Sequence, residues 1–495
     1  MAPAADGGVT LRHSRNPRAG APMIRSAEAT AFDSSKTYDV LVVGGGIAGI
    51  CAAIAARQAG ASVLLLEQAP GNLRGGNTRH ARNLRIMHDT PSEFLFDAYP
   101  EDEYWADLLR VTGGNTDENI ARTMIGESAR VMAWMTQCGG RFEKWQSRAK
   151  RPSRKTAFLL GGGKALLNAF YRTAERLRVD IQYEADVVSL ELNNGFASKA
   201  EIVTRRLSTA IRAKAVVVAS GSYQANIDWL KQSLGDAADR CSIRGTPYAK
   251  GQVLRNLLDQ GVAAVGNEAD CHMVGVDARA PKFDGGIVTR VDCTPFSIVV
   301  DQNGRRFYDE GAEIGPTRYA AWGRLIAQCP NQIAYAIFDS KVEGLFRPSI
   351  YQPIHALTIV ELAEKLALDP PTLLAAVHAF NDAVRPGTPG ETGPGRWHTR
   401  DIAPPKTRWA LPIDTPPFKS YPLRPGVTFT YLGVKIDENA RVLMTDGSPS
   451  GNVFAAGSIM AANVVGQGYL AGTGMTIGTV FGRIAGRVAA RYACR

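Results

Sequence analysis

The sequence predicts an α/β fold that begins with a Rossmann-like strand–turn–helix unit. A continuous apolar run at Tyr38–Val43 is typical of a buried parallel strand. The glycine-rich segment Gly44–Gly49 follows directly, and an alanine-rich helix is predicted over Ile47–Gln58. A second strand is predicted over Ala61–Leu66 and ends at Glu67. Because strand, glycines, helix, strand and acid occur in this order, they indicate dinucleotide binding.

The glycines form the pattern G-x-G-x-x-G, and each has a separate physical role. Gly44 permits the tight turn, Gly46 lets a pyrophosphate approach the backbone, and Gly49 lets helix and strand pack closely. The helix N-terminus offers free N–H groups and a partial positive charge to phosphates. Glu67 is placed where a carboxylate can accept hydrogen bonds from ribose hydroxyls.

The composition is that of a globular protein, with 45% hydrophobic and 21% charged residues in a chain of 495. No apolar run approaches the ~20 residues that cross a bilayer. The net charge is +10, but Lys and Arg are spread along the chain, which favours a solvated basic surface over nucleic-acid binding. A third interpretation is that this charge attracts an anionic substrate. The seven cysteines contain no Cys-x-x-Cys pair, so we expect a reducing compartment and no disulfide framework or metal site.

Two segments have the composition of irregular chain. Residues 1–35 are rich in Ala, Gly, Arg and Ser, and they predict a disordered basic extension rather than a secretory signal. Residues 386–426 are dense in Pro and Gly. Such composition predicts irregular chain rather than packed strands, as either a hinge or a rigid surface loop.

Four further segments carry a resemblance to a known family. They are Gly75–Thr78, Gly161–Leu166 at the start of a helix, the buried strand Lys214–Gly221, and the strand Gly451–Gly457 with the glycine-rich Gly466–Gly474 before a final helix. From Tyr38 to the C-terminus the chain resembles the flavoprotein subunits of the fumarate reductase and succinate dehydrogenase superfamily. The resemblance implies an FAD-binding domain at residues 36–250 and 410–495, interrupted by an inserted α+β capping domain at 251–409 that binds substrate.

The same resemblance implies which residues contact FAD. They are Gly44, Gly46, Ala48, Gly49, Glu67, Gly75, Gly76, Asn77, Thr78, Ala185, Val187, Ser220, Gly221, Gly457, Gly472 and Thr473. Covalent members have a histidine before the threonine of the first loop, where this chain has Asn77, and His80 comes three residues later. Noncovalent FAD is therefore expected. The glycines of the final helix allow two interpretations, which are backbone passing close to the flavin and close helix packing.

The superfamily moves a hydride between flavin and a carbon beside a carbonyl or carboxylate, while a proton moves on the neighbouring carbon. Resemblance implies that Arg318 is the proton-transfer residue, with Glu310 and Glu313 as relays, although a structural salt bridge is the alternative. His272 matches a substrate-binding histidine, and a histidine among apolar residues can equally be a core group. Tyr469 replaces the arginine that clamps a carboxylate in fumarate reductases, and tyrosine lacks the charge and the bidentate fork of arginine.

Fumarate reductases also have a histidine in the segment that matches Thr428–Val434, which contains none here, and the two departures argue against plain fumarate or succinate. The chain resembles the tricarballylate dehydrogenases in Arg74–His80, Asp277–Gly286, Thr428–Gly433 and Gly466–Gly472. That resemblance implies oxidation of a small polycarboxylate, tricarballylate, to aconitate in the cytoplasm. It also implies electron transfer to a membrane iron–sulfur protein, which would bring the chain to the inner face of the membrane. Arg79, Arg82 and Arg85 are candidate carboxylate contacts or a basic surface. The alternatives are a ketone-directed desaturase, which resembles ketosteroid dehydrogenases at Tyr469, a fumarate-type reductase, and a noncatalytic flavin module.

Overall fold

The computed structural model describes residues 36–145, 153–205, 208–312, 318–387 and 394–495. The predicted extension, residues 1–35, lies outside the described residues. In chain order the strands are β1 (Tyr38–Val43), β2 (Val63–Glu67), β3 (Asn83–Arg85), β4 (Thr156–Phe158), β5 (Asp180–Tyr183), β6 (Ala185–Asn193), β7 (Phe196–Thr204), β8 (Ser208–Ile211), β9 (Ala213–Val218), β10 (Ser242–Ile243), β11 (Ala264–Val265), β12 (Cys271–Asp277), β13 (Ile298–Asp301), β14 (Ala334–Phe338), β15 (Ile354–Ala356), β16 (Val384–Arg385), β17 (His398–Thr399), β18 (Phe418–Thr430), β19 (Gly433–Val434), β20 (Arg441–Leu443) and β21 (Pro449–Ala455). The α-helices are α1 (Ile47–Gln58), α2 (Glu101–Thr112), α3 (Glu118–Ser128), α4 (Val131–Gln137), α5 (Gly162–Arg176), α6 (Ile227–Leu234), α7 (Gln252–Asp259), α8 (Arg318–Gln328), α9 (Ile359–Leu366), α10 (Pro370–Ala383) and α11 (Thr473–Ala493).

The first sheet contains the predicted nucleotide-binding unit. Its strand order is β20–β21–β9–β1–β2–β5, and all neighbours pair in parallel except β20 with β21. The predicted strand β1 and helix α1 are confirmed with the predicted bounds, and β2 begins at Val63 rather than Ala61. Every residue of β2 is buried, as an apolar run inside a parallel sheet requires. The α/β fold class is therefore confirmed.

The second sheet is built around one long strand. Its order is β10–β18–β14–β13, and β12 and β15 also pair with β18. The expectation of irregular chain over residues 386–426 is wrong for the part that begins at Phe418, since β18 extends from there to Thr430. A proline in a strand lacks the backbone N–H donor but keeps its carbonyl oxygen. The carbonyl oxygen of Pro422 in β18 therefore still accepts the N–H of Ala278 at 2.8 Å. The first sheet takes its strands from residues 38–218 and 441–455, and the second from 242–430, while the predicted domain boundaries stay predictions.

The C-terminal helix α11 packs directly on α1. A Cβ at Gly482 would lie 2.4 Å from the carbonyl oxygen of Ala48, and one at Gly486 would lie 2.2 Å from that of Ala52. Close helix packing therefore explains the glycines in the body of α11. Its N-terminal end at Gly472 turns towards the pocket described below. Among the described residues, no helix combines the length and the apolar character that crossing a membrane requires.

Candidate active site

The turn between β1 and α1 is so closely packed that only glycine fits at two positions. Gly44 has a φ of +101°, and a Cβ there would lie 2.5 Å from the carbonyl oxygen of Ala219. A Cβ at Gly49 would lie 1.8 Å from the carbonyl oxygen of Gly44. At Gly46 the nearest atoms to an added Cβ, including the carbonyl oxygen of Gly75, would be 3.8 Å away. The protein leaves the space beside Gly46 open, as the approach of a pyrophosphate requires.

Glu67 ends β2 next to this turn, with 5% of its surface exposed. Its carboxylate oxygens accept hydrogen bonds from the backbone N–H groups of Ala69 (2.9 Å) and Gly75 (3.0 Å). Burial raises the pKa of the Glu67 carboxyl, and the backbone hydrogen bonds oppose this shift. Glu67 thus holds the following loop in place while it lines the pocket. Its bond to a ribose stays a prediction.

The loop after β2 contains a 3₁₀ helix, Gly76–His80. The hydroxyl of Thr78 accepts the N–H of the first residue of α1 at 2.9 Å. The amide of Asn77 accepts the N–H of Thr246 at 2.9 Å and donates to the carbonyl oxygen of Thr428 at 2.5 Å. This loop therefore joins the glycine turn to the chain around β10 and β18.

Most of the predicted cofactor residues line one pocket, which also includes the glycine turn between β1 and α1. They are Gly44, Gly46, Ala48, Glu67, Gly76, Asn77, Thr78, Ala185, Val187, Ser220, Gly221, Gly457 and Gly472. Gly49, Gly75 and Thr473 are not among its lining residues, and Gly49 serves the packing of α1 instead. The buried hydroxyl of Ser220 has no hydrogen-bond partner among the described residues. The open space at Gly46 and this unpartnered hydroxyl fit a bound dinucleotide such as FAD.

His272 and Tyr469 lie together in the same pocket. Their rings stack with centroids 3.8 Å apart, and His272 is 4% exposed. Burial, and next the charge of Arg244, lowers the pKa of His272 well below its usual range, so the imidazole is neutral. The Tyr469 hydroxyl accepts the N–H of Gly474 at 3.2 Å, which leaves its own proton to donate. Burial also raises the pKa of Tyr469.

Three arginines, Arg82, Arg244 and Arg290, line the pocket near these two rings. The guanidinium of Arg244 donates to the carbonyl oxygen of Gly286 (3.2 Å) and to the Thr428 hydroxyl (2.9 Å). Burial, followed by the neighbouring charge of Arg290, lowers the pKa of both Arg82 and Arg244 to about 10. The three cations are therefore close enough to repel one another, and they are held at this position by the fold.

One carboxylate neutralises part of this charge. Asp292 pairs with Arg290 at 2.7 Å, and among the described residues no carboxylate forms an ion pair with Arg82 or Arg244. Two positive charges are thus left for a ligand. Arg82 was a predicted carboxylate contact, whereas Arg244 and Arg290 were not. The positive net charge of the chain was the only feature of the sequence that pointed to further cationic contacts.

The other basic candidates of the first loop are engaged elsewhere. Arg79 lies 3.6 Å from Asp284, and Arg85 donates to the hydroxyl of Tyr99 at 2.7 Å. Neither arginine is among the residues that line the pocket. Of the three, only Arg82 is in position to meet a substrate.

The structure does not bring Glu310 to the pocket. Its carboxylate is completely buried, pairs with Arg306 at 2.6 Å, and accepts the N–H of Val299 at 2.8 Å. Arg318 begins α8, but its side chain and the whole of Glu313 lie outside the described residues. The residue after Arg318, Tyr319, does line the pocket, with the Arg290 guanidinium 4.5 Å from the centre of its ring. Among the described residues, no cluster of three His, Cys, Asp or Glu side chains could hold a metal ion.

Comparison with curated proteins finds an oxidoreductase and a reductase among the relatives. An NADH:fumarate oxidoreductase from Klebsiella pneumoniae is 25% identical over 488 residues, which is 93% of this chain and 49% of that protein. The chain therefore spans about half the length of this relative. Digoxin reductase from Eggerthella lenta is 25% identical over 493 residues, covering 90% of this chain and 85% of that protein. The predicted class, an FAD-dependent oxidoreductase acting on CH–CH groups, agrees with these relatives.

Comparison with solved structures shows the fold. A flavocytochrome c3 fumarate reductase in an open conformation matches with a TM-score of 0.74 and 22% identity, covering 98% of this chain and 83% of that one. A 3-ketosteroid-Δ4-(5α)-dehydrogenase from Rhodococcus jostii RHA1 matches with a TM-score of 0.70 and 23% identity, covering 94% and 99%. The family model described as FAD binding domain matches residues 39–475, which is most of the chain. The protein belongs to this FAD binding domain family.

Proposed function

We propose that the protein is an FAD-dependent oxidoreductase that forms or reduces a carbon–carbon double bond next to a carboxylate. The observation that carries the proposal is the group of Arg82, Arg244 and Arg290, which face one pocket with Asp292 as their only described carboxylate partner. Two uncompensated guanidinium groups in a low-dielectric pocket favour an anionic ligand strongly. A neutral substrate would leave the buried Arg244 and the partly buried Arg82 without a countercharge.

The cofactor proposal is noncovalent FAD. Gly44, Gly46 and the N-terminus of α1 would hold its phosphates, Glu67 would meet a ribose, and the N-terminus of α11 would lie near the ring system. FAD, when bound, supplies the hydride acceptor or donor of the reaction. By the sequence resemblance Asn77 stands where covalent members have a histidine, and its amide is already hydrogen-bonded to Thr246 and Thr428.

The residues of this chain bind and polarise the substrate. The three arginines would orient its carboxylates, which fixes the reacting carbons relative to the rest of the pocket. The Tyr469 hydroxyl oxygen accepts the Gly474 N–H, and its own O–H would donate a hydrogen bond to the substrate oxygen that activates the reacting carbons. His272 is neutral and buried, and among the described residues no group hydrogen-bonds its ring nitrogens, so it can bond a carboxylate as a neutral donor.

A fumarate-type substrate receives more support from the relatives than tricarballylate does. The relatives named above act on fumarate or digoxin according to their names, and the first of them supports a fumarate-type reaction. Their names also support the reductive direction, whereas the sequence resemblance predicts oxidation. Tricarballylate remains useful as a test acid because it carries three carboxylates.

A ketone-directed reaction is the second candidate. The Tyr469 O–H could donate a hydrogen bond to a ketone oxygen and polarise it, and the ketosteroid dehydrogenase fold matches this chain. Arg82 and Arg244 argue against it, because a neutral ketosteroid has no group that would neutralise these two charges. We also propose a separate redox protein as the electron partner, with a membrane iron–sulfur protein implied only by the sequence resemblance.

The test is anaerobic mixing of the FAD-loaded protein with single substrates. In one direction, fumarate should reoxidise the reduced protein and restore the flavin absorbance within the time of mixing and measurement. In the other direction, succinate or tricarballylate should bleach the flavin absorbance of the oxidised protein within the same time. A 3-ketosteroid and the dimethyl ester of fumarate serve as neutral comparisons. Reaction with the steroid but with none of the acids would replace the carboxylate proposal by the ketone-directed one.

A further inference from the structure

His80 and Asp284 form a hydrogen-bonded pair at the wall of the pocket. The Nε2 atom of His80 lies 2.7 Å from Oδ1 of Asp284, and His80 lines the pocket. Because an ionised carboxylate can only accept, Nε2 carries the proton and Nδ1 keeps its lone pair in the neutral imidazole. No described residue hydrogen-bonds Nδ1. A histidine whose one nitrogen is held by a carboxylate is the usual arrangement of a general base.

The pair stands next to the proposed carboxylate-binding arginines. Gly286 lies between the two, since its carbonyl oxygen accepts from Arg244 at 3.2 Å and a Cβ built on it would come within 2.7 Å of Nδ1 of His80. His80 also ends the 3₁₀ helix whose Thr78 is bonded to the start of α1. The imidazole therefore has a fixed position relative to both the glycine turn and the arginines.

We propose that His80, held by Asp284, is the group that takes the proton from the substrate carbon, or returns it in the reductive direction. This rests on the proposed function. In oxidation Nδ1 of His80 would take a proton from one substrate carbon, the adjacent carbon would give up a hydride for which bound FAD would be the acceptor, and the single C–C bond would become a double bond. In reduction the imidazolium gives the proton back. The role is the one that the sequence resemblance assigns to Arg318.

The charges around His80 predict opposite effects of two substitutions. Burial is the largest influence on the pKa of His80 and lowers it, Asp284 raises it through its hydrogen bond and its charge, and the charges of Arg79 and Arg244 lower it. Asp284→Asn should therefore move the ionisation in the pH profile of flavin reduction to lower pH. Arg79→Gln should move it to higher pH, because it removes a positive neighbour.

The experiment measures the rate of flavin reduction or reoxidation against pH in the FAD-loaded protein and four variants. His80→Gln should lower the rate by about 10²–10⁴-fold and abolish the ionisation. Asp284→Asn and Arg79→Gln should shift it in the two directions given above. Arg318→Met should keep the ionisation. FAD content and the affinity for malonate, read from the flavin absorbance, should stay close to wild type in His80→Gln and so report an intact pocket.

The outcomes separate this proposal from the proposed function. If wild type reacts with a carboxylic acid and His80→Gln keeps the same rate and profile, the role of His80 is refuted while the proposed function stands. If the ionisation is lost in Arg318→Met and kept in His80→Gln, the proton belongs to Arg318. If no acid reacts with wild type at any pH, the proposed function and this role fail together.

Discussion

Replacing Gly46 by alanine should separate cofactor binding from folding. Gly46 has a φ of −66°, which alanine adopts without strain, and the nearest atoms to the new Cβ would lie 3.8 Å away. Such a substitution stabilises the folded chain by about 0.4–1 kcal/mol, because alanine loses less backbone entropy on folding. The methyl group would, however, occupy the space that a pyrophosphate needs. We expect FAD affinity to fall at least tenfold, which corresponds to about 1.4 kcal/mol.

Gly49→Ala is the matched comparison within the same turn. Its Cβ would lie 1.8 Å from the carbonyl oxygen of Gly44, so α1 must move away from β1. Overpacking of this kind costs about 1–3 kcal/mol of folding free energy. The two variants add the same methyl group three residues apart, and they should have opposite effects on the stability of the apoprotein.

The assay is denaturant unfolding of the FAD-free proteins together with titration by FAD, followed by quenching of flavin fluorescence. Gly46→Ala should unfold at the same or higher denaturant concentration than wild type and bind FAD weakly. Gly49→Ala should unfold at lower concentration. Wild-type FAD affinity in Gly46→Ala would refute the placement of the pyrophosphate beside this residue.

Two further substitutions and one denaturation experiment test the substrate contacts and the attachment of FAD. Arg82→Met should weaken binding of fumarate or malonate by about 10–100-fold, as expected for the loss of a charge-assisted hydrogen bond. Arg110 is an exposed arginine outside the pocket, so Arg110→Met should leave the affinity for these acids unchanged. Equal effects of the two substitutions would show that the long-range charge alone attracts the acid. Tyr469→Phe should slow turnover by about 10–100-fold with FAD content unchanged; wild-type turnover would remove Tyr469 from the reaction. Acid precipitation should leave the flavin in the supernatant, and a yellow pellet would show that FAD is covalently bound.

The nucleotide-binding unit could be predicted because its signal is local. Tyr38–Val43, the glycine turn, α1 and Glu67 follow one another in the chain, and each has a composition that physical chemistry explains directly. The small difference at the start of β2 is a matter of where the backbone begins to pair with β1. The glycines of α11 were ambiguous, because flavin contact and helix packing both require small residues.

The substrate end could be predicted only in part, because tertiary contacts assemble it. Arg82, Arg244 and Arg290 come from three loops far apart in sequence, and no spacing rule connects them. Glu310 was predicted from the sequence but does not line the pocket. It belongs to a motif that resembles a catalytic segment, yet the fold buries its carboxylate against Arg306. The strand β18 was missed because its prolines outweighed its apolar residues in a reading of composition.

We propose that Arg82, Arg244 and Arg290 bind carboxylates in the same pocket that is proposed to hold FAD. The most direct measurement is titration of the oxidised, FAD-loaded protein with malonate and with its neutral diamide, followed by the flavin absorbance spectrum. We expect a saturable spectral change with malonate that weakens as salt is added and is absent with the diamide. An equal response to the two compounds, or no response to malonate, would contradict it.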